Sequence, residues 1–326
     1  MAVVAMLLCA ACAANPSAGT IQSAATDVSN AARVAGTASQ VDSAYTAQTY
    51  DLDPNDMLSI PDSTDVVSIN LNGGHVRELS DSRLGDIKNA IASIEELGHC
   101  SFVFFDVDNG HGLAYNADEV MYVASAAKAP FIYHLVTTVP NLTEDERQNV
   151  EWAIVDSENE AFETLFFDHL DEGYPEWMTG FDVHHDDYYY DFYPKMSARS
   201  LASIWADLLL YLQGGSNEAQ WLAELFGSTT TSFIRDGLYD TGAVVMDKAG
   251  WIVEESELYG TYEDEDGDEL VSYEILQYRS VSDAGIIQAD GRTYIMAIVT
   301  DQPDMGTTEA NVSVLARALF DQRSAF

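Results

Sequence analysis

The chain has 326 residues, 47% hydrophobic and 11% aromatic, enough for one large or two small packed cores. Lys and Arg number 14 against 54 Asp and Glu, a net charge of −40. A surface of that sign repels phosphate, so it argues against nucleic acid or anionic lipid as partners and suits solubility in a salty or wall-associated setting.

The first 14 residues, MAVVAMLLCAACAA, are apolar and small, too short to span a bilayer, and read as the end of a secretory leader. Its basic region is missing, which is consistent with a late start. Cys12, preceded by Ala10 and Ala11, resembles a lipidation box, although Cys9 stands where that box has Leu; Cys12 is either lipidated or removed. Cys100 is then the remaining thiol, no intrachain disulfide is expected, and it reads as a small buried hydrophobe. Residues 15–64 are rich in Ala, Ser, Thr, Gln and Asp and read as a flexible tether, with a helical stretch around 23–38 left open.

Beyond the tether, VVSIN (66–70) is a short strand. Residues 80–97 carry Leu84, Ile87, Ile91, Ile94 and Leu97 at helical spacing and stop at Gly98. SFVFFDV and LAY flank the hairpin turn Asp108-Asn109-Gly110. Helices follow at 126–138, at 143–155 with a Thr143/Glu146 capping box, and at 160–170, 199–213 and 217–226. Strands return at 243–248, 271–278, 281–288 and 293–299, the last two joined by Asp290-Gly291. Helix-rich sequence is thus inserted between two groups of strands. The fold class is α/β of the α+β kind: an antiparallel sheet flanked by N- and C-terminal helices, plus an inserted all-helical lobe. The sheet lobe takes residues 65–140 and 230–326 and the helical lobe 141–229, with the cleft between them as the default pocket.

Three triplets occur in order along the chain. Ser125-Ala126-Ala127-Lys128 follows the first hairpin, and i, i+3 spacing on a helix brings the Lys128 amine to the Ser125 hydroxyl. A serine needs an adjacent base, and a lysine serves as one only when burial or nearby cations depress its pKa. Ser157-Glu158-Asn159 follows the apolar WAIV, and Lys248-Ala249-Gly250 follows the strand-like AVVMD. Read singly, Lys128 is a snorkelling surface lysine, Ser157 a helix N-cap and Lys248 an edge-strand lysine.

Together the triplets resemble the S-x-x-K, S-D-N and K-T-G set of serine β-lactamases and penicillin-binding proteins, close to the class A type. The resemblance spans roughly residues 80–326 and includes a closing hairpin, SDAGIIQADGRTYIMAIVTDQP, and a terminal helix, NVSVLARALF. It implies a secreted serine hydrolase that forms an acyl-enzyme on Ser125 with Lys128 as base. Ser157 would relay a proton to the leaving nitrogen, and Asn159 would hold a substrate amide and Lys128. Lys248 would carry positive charge to a substrate carboxylate, Gly250 would admit the substrate backbone, and the amides of Ser125 and Trp251 would form the oxyanion hole.

Three departures qualify that implication. Glu158 replaces Asp and Ala249 replaces Thr or Ser, while EWMTGFDVHHDDYYYDFYPKMSARSL lacks the E-x-x-L-N glutamate that activates water in class A enzymes. Glu176 is the nearest candidate for it. Slow release of β-lactam acyl groups is therefore expected, favouring a peptidase-like hydrolase over an efficient β-lactamase. The alternative is a catalytically silent envelope module that binds peptide or glycan in the same cleft. No cofactor and no metal are expected: the Asp182-x-His184-His185-Asp186-Asp187 run reads as a solvated loop, and EDEDGDE (263–269) as the tip of a long hairpin. Expected partners are a β-lactam or peptidoglycan-like peptide substrate, with membrane contact only through a lipid anchor. The protein is expected to be a monomer, located outside the cell or in its envelope.

Overall fold

The computed structural model describes residues 50, 52–71, 79–170, 173–184, 193–263 and 269–325. The leader with Cys12, the tether up to residue 49 with its possible helix, the run 185–190 and the hairpin tip 264–268 lie outside the described residues. No helix among those described is long and apolar enough to cross a membrane.

The strands are β1 (Val67–Asn70), β2 (Cys100–Asp106), β3 (His111–Tyr115), β4 (Met121–Tyr122), β5 (Lys195–Met196), β6 (Val244–Glu263), β7 (Glu269–Ala289) and β8 (Arg292–Thr300). The helices are α1 (Asp81–Glu95), α2 (Lys128–Thr138), α3 (Glu144–Val155), α4 (Asn159–His169), α5 (Gly173–Thr179), α6 (Ala198–Gln213), α7 (Asn217–Gly227), α8 (Phe233–Gly237) and α9 (Glu309–Asp321). Six strands form one antiparallel sheet in the order β1-β3-β2-β8-β7-β6, and β4 pairs β5 as a separate two-stranded ribbon. This is the α+β architecture the element order implies.

Both faces of the sheet are covered, which is why SFVFFDV is almost continuously apolar. Alternation along β2 sends Phe102 and Phe104 toward α1, α8 and α9, and Val103 and Phe105 toward the helical group. Cys100 is fully buried in the first of these layers, and burial pushes its thiol pKa up. On the other side, Trp205, Leu208 and Leu209 of α6 pack with Ile295 and Val299 of β8 in one cluster. The predicted Thr143/Glu146 box caps α3: Glu146 N donates to Thr143 Oγ1 at 3.3 Å, and Thr143 N to Glu146 Oε2 at 2.6 Å. Such a cap stabilises a helix by about 1 kcal/mol.

Three expectations are corrected. The packed fold begins before residue 65: a 3-10 helix at Pro54–Ser59 buries Met57, Ile60 joins the core behind it, and Ser203 Oγ donates to Pro54 O at 2.6 Å. The tether's composition hid these two apolar anchors among polar residues. The separate strands read at 243–248, 271–278 and 281–288 are instead β6 and β7, two long arms paired from Val244↔Gln288 to Glu263↔Glu269. Lastly, α2 is grouped by its contacts with the helical side: Phe131 meets Phe162 of α4 edge-on and Phe166 at a tilt. The helical group therefore includes α2, which a boundary at residue 140 assigns to the sheet lobe.

Candidate active site

Ser125 lies in a 3-10 turn, Ala124–Ala127, that runs directly into α2. The expected α-helical start is thus a tighter turn, and 3-10 geometry likewise brings i and i+3 to one side. Ala124, just before the serine, has φ +46°, and Ser157 across the cleft has φ +59°. A left-handed conformation is unfavourable for a residue with a Cβ, so both corners are held by their surroundings.

Lys128 is fully buried, contrary to a snorkelling role. Its Nζ donates to Ser157 O at 2.6 Å and to Asn159 Oδ1 at 2.8 Å. It lies 5.5 Å from the centre of the Phe162 ring and 5.9 Å from that of Tyr193. Burial above all, and then the nearby Lys248 charge, lower its pKa to about 7, while Glu158 and Glu163 pull the other way. A neutral amine has two N–H bonds and one lone pair. Two acceptors match the two donors, which leaves the lone pair for a proton.

Lys248 is also buried and donates from Nζ to Ser157 Oγ and to Ala249 O, both at 2.9 Å. Burial lowers its pKa to about 8, against the opposing pull of Asp283 and Asp247. Its Nζ lies 5.9 Å from the centre of the half-buried Trp251 ring. Ser157 therefore joins the two lysines, its carbonyl accepting from one and its hydroxyl from the other. Ser157 is not the N-cap of α4. That position is taken by Glu158, whose Oε2 accepts from Ala161 N at 3.0 Å. The longer arm of glutamate is thus used in capping.

Alternation along β6 explains the third triplet. Met246 faces the helical group and Lys248 reaches Ser157, whereas Val245 and Ala249 pack in the layer with Phe233 and Val281. Ala249 is fully buried there, so a methyl suits a site where a hydroxyl would need its own partner. Gly250 has a role the sequence reading did not give it. A Cβ at that position would press on the Val123 carbonyl oxygen and lie 2.8 Å from the Ser125 amide nitrogen. Glycine lets β6 approach the serine turn, whatever it does for a substrate.

Tyr193 was not singled out from the sequence. Its hydroxyl donates to Asn159 Oδ1 at 3.1 Å and its ring packs on Phe162 at 5.3 Å. It lies 34 residues from Asn159, and no local pattern marks it. Glu176, the candidate water-activating residue, is exposed on α5 and is not among the charges that act on Lys128. Asp182 is engaged by Arg199 at 3.1 Å.

The structure thus brings Lys128, Ser157, Asn159 and Lys248 into one hydrogen-bonded cluster, with Gly250 and Trp251 on the strand that backs the Ser125 turn. Ser125 lies one turn before Lys128, whose amine is buried and easily neutralised. The architecture is that of serine β-lactamases and penicillin-binding proteins. PBP-A superposes with a TM-score of 0.53 at 15% identity, covering 74% of this chain and 97% of its own. A β-lactamase from Chitinophaga pinensis gives 0.54 at 16%, covering 76% and 100%, and one from Burkholderia vietnamiensis 0.56 at 15%, covering 77% and 99%. No protein-family model and no curated protein matches the chain by sequence.

Proposed function

We propose that the protein is a serine hydrolase that forms an acyl-enzyme on Ser125, acting on an amide or ester of β-lactam or peptidoglycan-like peptide type. The supporting observation is the buried Lys128 amine, with both N–H bonds matched to fixed acceptors and its pKa lowered to about 7 by burial and by Lys248. In this reading Lys128 takes the proton of Ser125 Oγ as that oxygen bonds to the substrate carbonyl carbon. The developing oxyanion is met by the amides of Ser125 and Trp251. Lys248 donates to Ser157 Oγ, so the Ser157 proton is free to pass to the leaving nitrogen while the C–N bond breaks. Lys128 then returns a proton to Ser157. Asn159 and Lys248 hold the substrate's amide and carboxylate. Among the superposed structures, a PBP-A variant is described as an acyl-enzyme complex with penicillin G, which supports trying a penicillin first.

By the same reading the protein works outside the cell or in its envelope, secreted or anchored through Cys12, as a monomer and without a cofactor. Labelling with a fluorescent penicillin or a fluorophosphonate tests the chemistry. Wild type should label and Ser125→Ala should not. Equal labelling of the two proteins rules Ser125 out, and a ligand that binds without turnover, unaffected by Lys128→Ala, favours the silent binding module.

A further inference from the structure

The class A glutamate loop has no counterpart in this sequence, yet hydrolysis of an acyl-enzyme needs a base for water. We propose that Glu163 is that base, an assignment that rests on the hydrolase reading above. Glu163 lies on α4 four residues after Asn159, so the two share a side of the helix. That side faces α2: Asn159 Oδ1 accepts from Lys128 Nζ at 2.8 Å, and Phe162 and Phe166 pack on Phe131 of α2. Glu163 is half-buried at the margin of this contact, while Glu160 and Thr164 on the outer side are exposed.

Two carboxylates act on the Lys128 charge, those of Glu158 and Glu163. Glu158 is committed to the α4 cap through Ala161 N. Among the described residues the Glu163 carboxylate accepts no hydrogen bond, so its oxygens are available to a water between it and the Ser125 ester. In deacylation Glu163 takes a proton from that water as the water oxygen bonds to the acyl carbon. The C–Oγ bond then breaks, and the proton passes through Lys128 to the Ser125 oxygen, releasing the acid and restoring the hydroxyl.

The test is the lifetime of the Ser125 adduct with a penicillin, followed by intact mass in wild type, Glu163→Gln and Glu160→Gln. Glu163→Gln keeps the side chain's size and removes the base. Its adduct should form no more slowly than in wild type, since loss of the Glu163 charge lowers the Lys128 pKa further, and should persist on the order of 10²–10⁴ times longer, the usual range for losing a general base. Glu160→Gln should match wild type, and thermal midpoints of all three should coincide. Equal lifetimes in wild type and Glu163→Gln, or a wild-type adduct that never decays, overturn the assignment while leaving acylation intact. Absence of any Ser125 adduct in every protein overturns the hydrolase reading itself, and Glu163 with it.

Discussion

The two sides of the cleft each contribute a buried lysine, and the difference between them lies in what stands behind each. Lys128, on the serine side, sits against Phe162 and Tyr193 and donates to neutral acceptors; burial and Lys248 outweigh the pull of Glu158 and Glu163, and its pKa falls to about 7. Lys248, on the strand side, is equally buried, but Asp247 is its chain neighbour and Asp283 pairs across at the next register position. Asp247 accepts from Thr229 Oγ1 at 2.9 Å, from Ser232 Oγ and from Arg235 Nη2 at 3.1 Å. Asp283 accepts two backbone amides on one oxygen and has no partner on the other. Burial and the Asp247 charge push its carboxyl up. Asp283 and Asp247 both pull the Lys248 pKa up, against the burial that lowers it to about 8. Two equally buried lysines thus differ in pKa: a neighbouring cation lowers that of Lys128 further, whereas buried carboxylates hold that of Lys248 up.

The strongest way to break this arrangement is at its two supports. Gly250→Ala should separate β6 from the Ser125 turn, because backbone rather than a flexible side chain occupies the space. Acylation measured by penicillin labelling should fall at least about 100-fold, as expected when reacting groups are displaced by an ångström. Lys128→Met should abolish acylation yet stabilise the protein at pH 6. A buried lysine whose folded pKa lies below its unfolded value binds fewer protons when folded. Wild-type stability should accordingly rise with pH between about 7 and 10.5. The gain from Lys128→Met at pH 6, read from denaturant midpoints, should be on the order of 3 kcal/mol.

The comparison sharpens in the pH profile. Acylation should rise as Lys128 loses its proton around pH 7 and decline as Lys248 loses its own around pH 8. Asp247→Asn should move the upper limb to lower pH and leave the lower limb in place; a shift of both limbs would show that the lysines are not set independently. The smallest effect belongs to Tyr193→Phe, which removes one hydrogen bond to Asn159. Its consequence should be about 1 kcal/mol, or several-fold in acylation rate.

Much of this was legible in the sequence because it is local or ordered. The Thr143/Glu146 cap and the Asp108-Asn109-Gly110 turn depend on residues close in the chain, and the three triplets are each short and follow one another in order. What escaped the sequence depends on distance. Tyr193 meets Asn159 from 34 residues away, and Gly250 touches the Ser125 turn across more than a hundred. The burial of Ala249 on the far face of β6 also needed the sheet's register, since either face was open to a strand read alone. Glu158 looked like a mismatch to S-D-N until its side chain was seen in the α4 cap.

The left-handed residues Ala124 and Ser157 bracket the reactive cluster, one on each wall. Each such conformation stores about 1–3 kcal/mol that only the surrounding packing holds in place. When heat loosens that packing, these corners are the first to gain by relaxing. Inactivation should then begin several degrees before the bulk of the helices melts, and a glycine at position 124 should narrow that gap.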